Sequence, residues 1–335
     1  MTIRIGINGF GRIGRCVGRI LMQDPNVELV AVNDLASPEQ LAYLFKYDTV
    51  HRRYEGTVEA GDSSISIDGK TVKVLSERNP ADLPWGDLGV DYVIESTGLF
   101  RTRDKAQLHL DAGAKFVLVS APGKGMDLSV VYGVNHHEID AKTMTIIDVA
   151  SCTTNCLAPV AKVLNDTFGI TSGLMTTVHG YTSDQALLDA PHKDFRRGRA
   201  AAQNMVPTST GAAIAVTRVI PELEGKLNGM AVRVPTPDVS LIDLVCNFEK
   251  PVTLDAIHDA LKKAADGPLK GVLALTHDPV VSTDQMGDPR SSVVDTALTM
   301  VIGDKMAKVI SWYDNEWGFA NRMVDTVRYV AAQKA

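Results

Sequence analysis

The residues most able to do chemistry fall in two short stretches. In the first, Ser151-Cys152-Thr153-Thr154-Asn155-Cys156, a thiol stands between an apolar run, TMTIIDV, and a helical one through Val160, Val163 and Leu164. A cysteine at such a strand-to-helix junction feels the partial positive charge of the helix N-terminus, which lowers its pKa and enlarges the nucleophilic thiolate fraction. Pro159 either kinks a helix that begins near Cys152 or starts one after a short turn, and the spacing fits both. Cys152-x-x-x-Cys156 finds no second Cys/His pair, so no metal site is expected. A thiol nucleophile needs a base. His179 ends the next strand, in Val178-His179-Gly180-Tyr181-Thr182, a position from which an imidazole can face a cleft. Read alone, the cysteine also fits an inert residue among small polar ones, and the histidine a structural one.

The second stretch is Gly9-x-Gly11-x-x-Gly14, which directly follows a strand run and opens a helix. Its glycines allow a tight turn, close backbone approach to a pyrophosphate and close helix–strand packing, with the anion at the helix N-terminus. Asp34 stands 20 residues after Gly14, at the end of the second strand. A carboxylate there accepts hydrogen bonds from the adenosine ribose and repels a 2′-phosphate, favouring NAD over NADP.

The elements that carry these residues have two different grammars. Ile3, Ile5 and Ile7 mark a strand, Ile13, Val17, Ile20 and Leu21 a helix, and Val27 to Val32 a second, largely apolar strand, as in a parallel sheet covered on both faces. Ser37-Pro38-Glu39-Gln40 opens a helix with a capping box, and Asp68-Gly69 reads as a tight hairpin. DYVIEST, a helix near Asp104 to Asp111 and AKFVLVS return to alternating strand and helix. After about residue 150 strand candidates outnumber helices, which predicts an antiparallel sheet with helices on one side. The fold class expected is therefore an α/β Rossmann dinucleotide-binding domain plus an α+β catalytic domain with a mostly antiparallel sheet.

At 335 residues the chain is long for one core and predicts two domains: 1–150, joined by a closing helix at about 315–335, and 151–314. With 34 basic and 40 acidic residues the net charge is -6, and nothing indicates a nucleic-acid or membrane partner. The first residues lack a signal peptide's apolar stretch, and four unevenly placed cysteines make no disulfide framework, so a reducing cytoplasm is expected.

NGFGRIGR, ASCTTNCLAP, HGYTSDQ, PHKDFRRGRAAAQNMVPTSTGAA, AVRVPTPDVS and SWYDNEWGF, taken together, resemble the phosphorylating glyceraldehyde-3-phosphate dehydrogenases, in that family's order and spacing from Ile3 to about Tyr329. The resemblance implies that Cys152 attacks the aldehyde of glyceraldehyde 3-phosphate, that His179 activates the thiol and takes the hydroxyl proton, and that hydride passes to NAD. Inorganic phosphate then releases an acyl phosphate from the thioester. It also implies two anion pockets, with family positions at Ser151, Thr153, Thr182, Arg197, Thr210, Gly211 and Arg233. For the cofactor it implies Arg12 and Ile13 at the pyrophosphate beside Gly9, Gly11 and Gly14, Asp34 at the ribose, Arg78 and Ser120 around the adenine side and base of the cleft, and Asn315 at the nicotinamide amide. The segment from Tyr181 to Asn204 would line a neighbour's cofactor site in a homotetramer.

Some positions depart from the family's common pattern. Asp148-Val149 precedes the nucleophile where Ser-Asn is frequent, Gly180 follows the histidine, and Gly198 replaces a common Ala. Ala190-Pro191 is half of an NAD-preferring Leu-Pro and half of an NADP-using Ala-Ser, which leaves room for some NADP use. Erythrose-4-phosphate dehydrogenase shares several motifs, but it usually has Glu in place of Asp34 and lacks the STGAA stretch. An aspartate-semialdehyde-type reductase lacks HGYTSDQ and WYDNEWGF. A catalytically silent NAD-binding sensor would have no need of both the Cys–His pair and two sets of phosphate ligands.

Overall fold

In the computed structural model, which describes residues 2–334, the first unit grows outward from one buried parallel strand. It takes in the chain up to Val130, His136–Ala150, and the part from Ala320 on. Its elements are β1 (Ile3–Asn8), α1 (Arg12–Met22), β2 (Val27–Asn33), α2 (Pro38–Lys46), β3 (Val58–Ala60), β4 (Ser64–Ile67), β5 (Lys70–Leu75), β6 (Tyr92–Glu95), α3 (Arg103–Asp111), β7 (Phe116–Val119), β8 (Leu128–Ser129) and β9 (Ile146–Asp148). The strand order is β3-β4-β5-β2-β1-β6-β7-β9-β8, parallel throughout except where β3, β4 and β5 run antiparallel. From β1 the chain goes to β2 on one side, and β6 lies on the other. The C-terminal end of β1 is thus a switch point, where open α/β sheets bind ligands. β6 and β7 are buried along their whole length, as strands covered on both faces must be.

Local chemistry follows the sequence closely here. Ser37 accepts the Gln40 backbone N–H while the Gln40 side chain accepts that of Ser37, closing the capping box on α2. Asp68 and Gly69 both take positive φ, at 51° and 76°, between the paired β4 and β5, as a two-residue hairpin turn requires.

The second unit comprises Val131–Asn135 and Ser151–Phe319. Here α4 (Cys152–Phe168) runs unbroken through Pro159, and then come β10 (Ile170–Gly180), β11 (Val206–Ser209), α5 (Ala212–Val219), β12 (Leu227–Val234), β13 (Ser240–Phe248), α6 (Leu254–Asp266), β14 (Leu273–Thr276), β15 (Ser292–Ile302) and β16 (Met306–Tyr313). α7 (Trp317–Lys334) begins in this unit, and most of it belongs to the first. The seven-stranded sheet has the order β11-β12-β10-β13-β16-β15-β14, and its ladders are antiparallel except β10 with β12 and β14 with β15. α4, α5 and α6 pack on one face, over Met175, Leu244 and Val309. Among the described residues no helix is long and apolar enough to cross a membrane.

Candidate active site

The nucleophile is held by the start of α4. Ser151 takes the cap position and accepts the Thr154 N–H at 3.1 Å, so Cys152 is the first helical residue. The residue before the cap, Ala150, is in the left-handed region at φ 54°, a strained conformation for a residue with a Cβ. Sγ of Cys152 lies 3.5 Å from Nε2 of His179, at the end of β10. Nδ1 of His179 is 2.7 Å from the Gly180 carbonyl. A carbonyl only accepts, and at 2.7 Å it is closer to Nδ1 than the Arg233 guanidinium nitrogen at 3.3 Å, so the ring proton is assigned to Nδ1, and the Nε2 lone pair faces the thiol.

Arg233 reaches this pair because β10 and β12 run parallel with His179 and Arg233 side by side. One guanidinium nitrogen donates to the Gly180 carbonyl at 3.2 Å and to the Thr182 hydroxyl at 2.9 Å, while Nε is buried with no hydrogen-bond partner. Arg197 donates to Asp184 at 2.7 Å and Thr208 at 3.0 Å. Asp184 also accepts from the Thr182 hydroxyl, which ties the two arginines into one cluster. Burial alone would raise the Asp184 pKa, but the Thr182 hydroxyl, Arg197 and Arg233 outweigh it and hold the carboxyl below its ordinary value. Ser209, whose carbonyl lies 3.4 Å from Arg197, leads into Thr210, which accepts the Ala212 N–H, and into Gly211, the cap of α5.

The thiol departs from expectation. The helix begins where its positive end can act on Cys152, yet burial pushes the thiol above its ordinary pKa, against the opposing pull of Arg233 and Thr153. Burial, reinforced by the Arg233 charge, also drives His179 down to about 3. Both shifts disfavour the charged form of their own group, so the Nε2 lone pair of His179 is available to accept the thiol proton.

Tyr313 and Ser240 stand inside recognised motifs, but nothing in their type or spacing marks what they touch. The Tyr313 hydroxyl bonds Thr153 and Thr177, each at 2.8 Å, and its ring meets His179 edge-on, so it braces the first turn of α4 beside Cys152 and the His179 ring. Thr153 thus turns its hydroxyl inward. Ser240 accepts the Gly180 N–H at 3.1 Å and donates to Oδ1 of Asn315 at 2.6 Å, so Gly180 links the His179 tautomer, through its carbonyl, to the Asn315 amide, through its N–H.

In the first unit Gly9 adopts φ 89°, and a Cβ at Gly14 would stand 2.1 Å from the Gly9 carbonyl. At Gly11 a Cβ would meet nothing within 4 Å, so only at that glycine is the loop surface open for another molecule to approach the backbone. Asp34 accepts the Phe10 N–H at 2.9 Å and is braced against the loop. Ile13 is half-buried in the first turn of α1, and the Arg12 side chain is engaged by Asp48 at 2.7 Å. The Ser120 N–H donates to the Glu95 carbonyl at 2.9 Å, and Arg78 is exposed in the segment after β5. These residues fit a dinucleotide: a glycine loop with one open approach, a helix N-terminus and an acidic residue beside it.

A Rossmann sheet with a glycine loop, and a Cys–His pair set among arginines, define an NAD-linked oxidoreductase that works through a cysteine. The sequence family described as "Glyceraldehyde 3-phosphate dehydrogenase, NAD binding domain" matches residues 3–103, and its C-terminal-domain counterpart matches residues 151–315. The chain belongs to the glyceraldehyde-3-phosphate dehydrogenase family. It is 55% identical over 333 residues to the glyceraldehyde-3-phosphate dehydrogenase of Priestia megaterium, with 99% of each chain covered. It is 54% identical to that of Geobacillus stearothermophilus, again over 99% of each, and 55% identical to that of Streptomyces coelicolor over 99% of this chain and all of the other.

Proposed function

We propose that this chain oxidises D-glyceraldehyde 3-phosphate with NAD and inorganic phosphate to 1,3-bisphosphoglycerate, through a thiohemiacetal and then a thioester on Cys152. The observation that carries this reading is the 3.5 Å contact between Sγ and an imidazole nitrogen whose tautomer leaves it a base. His179 takes the thiol proton as Sγ bonds to the aldehyde carbon, passes it to the new alkoxide, and withdraws it again as the hydride leaves. Bound NAD is the hydride acceptor. A phosphate oxygen then adds to the thioester carbon, the C–S bond breaks with its electron pair returning to Cys152, His179 gives its proton back to that sulfur, and the phosphate's own proton is released to water.

Arg233, Thr182 and Arg197, with Ser151, Thr153, Thr210 and Gly211, supply the two anion sites. The buried, unpartnered Nε of Arg233 is a donor of the kind a phosphate oxygen satisfies. Gly9, Gly11, Gly14, Arg12, Ile13, Asp34, Arg78 and Ser120 hold the cofactor, with Asn315 at the nicotinamide amide. In domain terms, residues 1–150 with the closing helix bind NAD, and 151–314 carry the chemistry. The protein works as a homotetramer in the cytoplasm. Its four free thiols suit a reducing compartment, and the uncovered face of the seven-stranded sheet suits assembly.

Phosphate-dependent NADH formation from glyceraldehyde 3-phosphate tests the reading, with erythrose 4-phosphate and NADP as comparison substrates. Cys152→Ala is expected to abolish turnover and keep NAD affinity; substantial residual turnover would refute the nucleophile. His179→Asn should slow hydride transfer by about a hundredfold or more and slow alkylation of Cys152 near neutral pH. Unchanged rates would remove His179 from the mechanism.

A further inference from the structure

Buried polar side chains in the first unit take no part in that chemistry. Asn8, Asn33 and Glu95 end β1, β2 and β6, three neighbouring parallel strands, at the ends where such sheets bind ligands. The side chains of Glu95 and His109 have no exposed surface. A carboxylate so buried needs donors on both oxygens, and it has four. Oε2 accepts from Asn8 at 2.6 Å and from His109 at 3.0 Å, and Oε1 accepts from the Thr97 N–H at 2.8 Å and from the Thr97 hydroxyl. The His109 tautomer follows from Trp85, whose indole N–H can only donate and lies 3.1 Å from Nδ1. The ring proton is therefore on Nε2, aimed at Glu95.

What this network grips is the cofactor loop. Thr97 N is 2.7 Å from where a Cβ at Gly9 would sit, and the Ser96 hydroxyl donates to the Gly9 carbonyl at 2.6 Å. Asn8, which directly precedes Gly9, accepts from Asn33 at 2.7 Å. Asn33 in turn clasps the backbone of Glu77, with its N–H at 2.8 Å and its carbonyl at 2.9 Å. Asn33 precedes Asp34, and Glu77 precedes Arg78.

The geometry points to Glu95 as a positioning residue for NAD binding: a buried anion, backed by His109 and Trp85, that locks the Ser96–Leu99 turn against the glycine loop. This rests on the assignment of Gly9, Gly11 and Asp34 to the cofactor. A glutamine at 95 would fill the same volume but turn an amide N–H toward groups that all donate.

Calorimetric titration of the whole protein with NAD separates the two levels. No binding by the parent would sink the cofactor assignment itself. With the parent binding, Glu95→Gln is expected to raise the Kd about tenfold or more, while kcat at saturating NAD stays within about threefold and Cys152 alkylation without cofactor within about twofold. His109→Gln can still accept from Trp85 and donate to Glu95, so its Kd should stay within about threefold of the parent's, whereas His109→Leu should raise it about fivefold or more. A folded Glu95→Gln variant binding NAD within about twofold of the parent would overturn the inference. So would a loss of kcat as large as the loss of affinity. If Glu95→Gln does not fold, equal NAD affinity in the two His109 variants would overturn it.

Discussion

At Cys152 and His179 burial resists charge on either residue alone, and in the proposed mechanism the pair moves one proton between its members under the field of Arg233. A second buried acid two residues before Ser240 shows the same physics with a measurable sign. Asp238 has no exposed surface, and burial, then the charges of Asp314 and Glu316, push its carboxyl up to about 9. Asp314 is already committed, accepting the backbone N–H groups of Gly287, Glu316 and Trp317. The native protein therefore keeps a proton that the unfolded chain sheds near pH 4, and stability falls as pH rises from there towards 9. Asp238→Asn removes the titration, and it should stabilise the protein by roughly 2 kcal/mol at pH 7, since the buried amide has a desolvation cost of its own. Thermal melts should show a Tm advantage for the variant that widens between pH 5 and pH 9. An advantage that is flat or shrinking with pH would contradict a protonated Asp238.

At the scale of elements, the strand–loop–helix unit around Gly9 separates folding from binding. A methyl group at Gly14 would run into the Gly9 carbonyl at 2.1 Å, whereas one at Gly11 meets no protein atom within 4 Å. Gly14→Ala is therefore expected to destabilise the first unit by about 2 kcal/mol or more. Gly11→Ala should melt close to the parent yet bind NAD about tenfold or more weakly, because its methyl occupies the open approach. A Gly11→Ala variant with parental affinity would move the pyrophosphate elsewhere. This unit was legible in the sequence because its parts are contiguous: strand, glycines, helix and Asp34 lie within one short stretch. The catalytic cluster was legible only as candidates. The parallel register that sets Arg233 beside His179, and Tyr313 reaching back to Thr153, join residues far apart in the chain, and no periodicity encodes such pairings. Asp184 stood inside a recognised motif, but its role depends on where the Arg197 loop folds. The unbroken α4 shows the converse: tertiary packing of a buried helix overrides the local cost of Pro159, which the sequence pattern could not weigh.

For the whole molecule, the net charge of -6 conceals how charge is grouped, since Arg197 and Arg233 meet around Asp184, with Asp194 3.8 Å from Arg197. A sum over the chain cannot report a pocket built from residues on separate loops and strands. The same holds for assembly. Leu174, Val245, Lys308 and Met300 stand in register across β10, β13, β16 and β15, on the sheet face opposite α4, α5 and α6. Leu174 is 68% exposed and Met300 54%, and Lys308 pairs with Asp243 on the same face. An apolar sheet face of this kind, carrying its own compensated charge pair, matches a copy of itself across a two-fold axis. In the proposed homotetramer this face is one of the contacts between copies. Sedimentation equilibrium should then give four times the chain mass for the parent. The double variant Leu174→Glu, Met300→Glu places like charges opposite each other across the two-fold contact, and it should dissociate into smaller species while its isolated Cys152 remains open to alkylation. A parent that sediments as a single chain, or a double variant that stays tetrameric, would show that this face is not the contact.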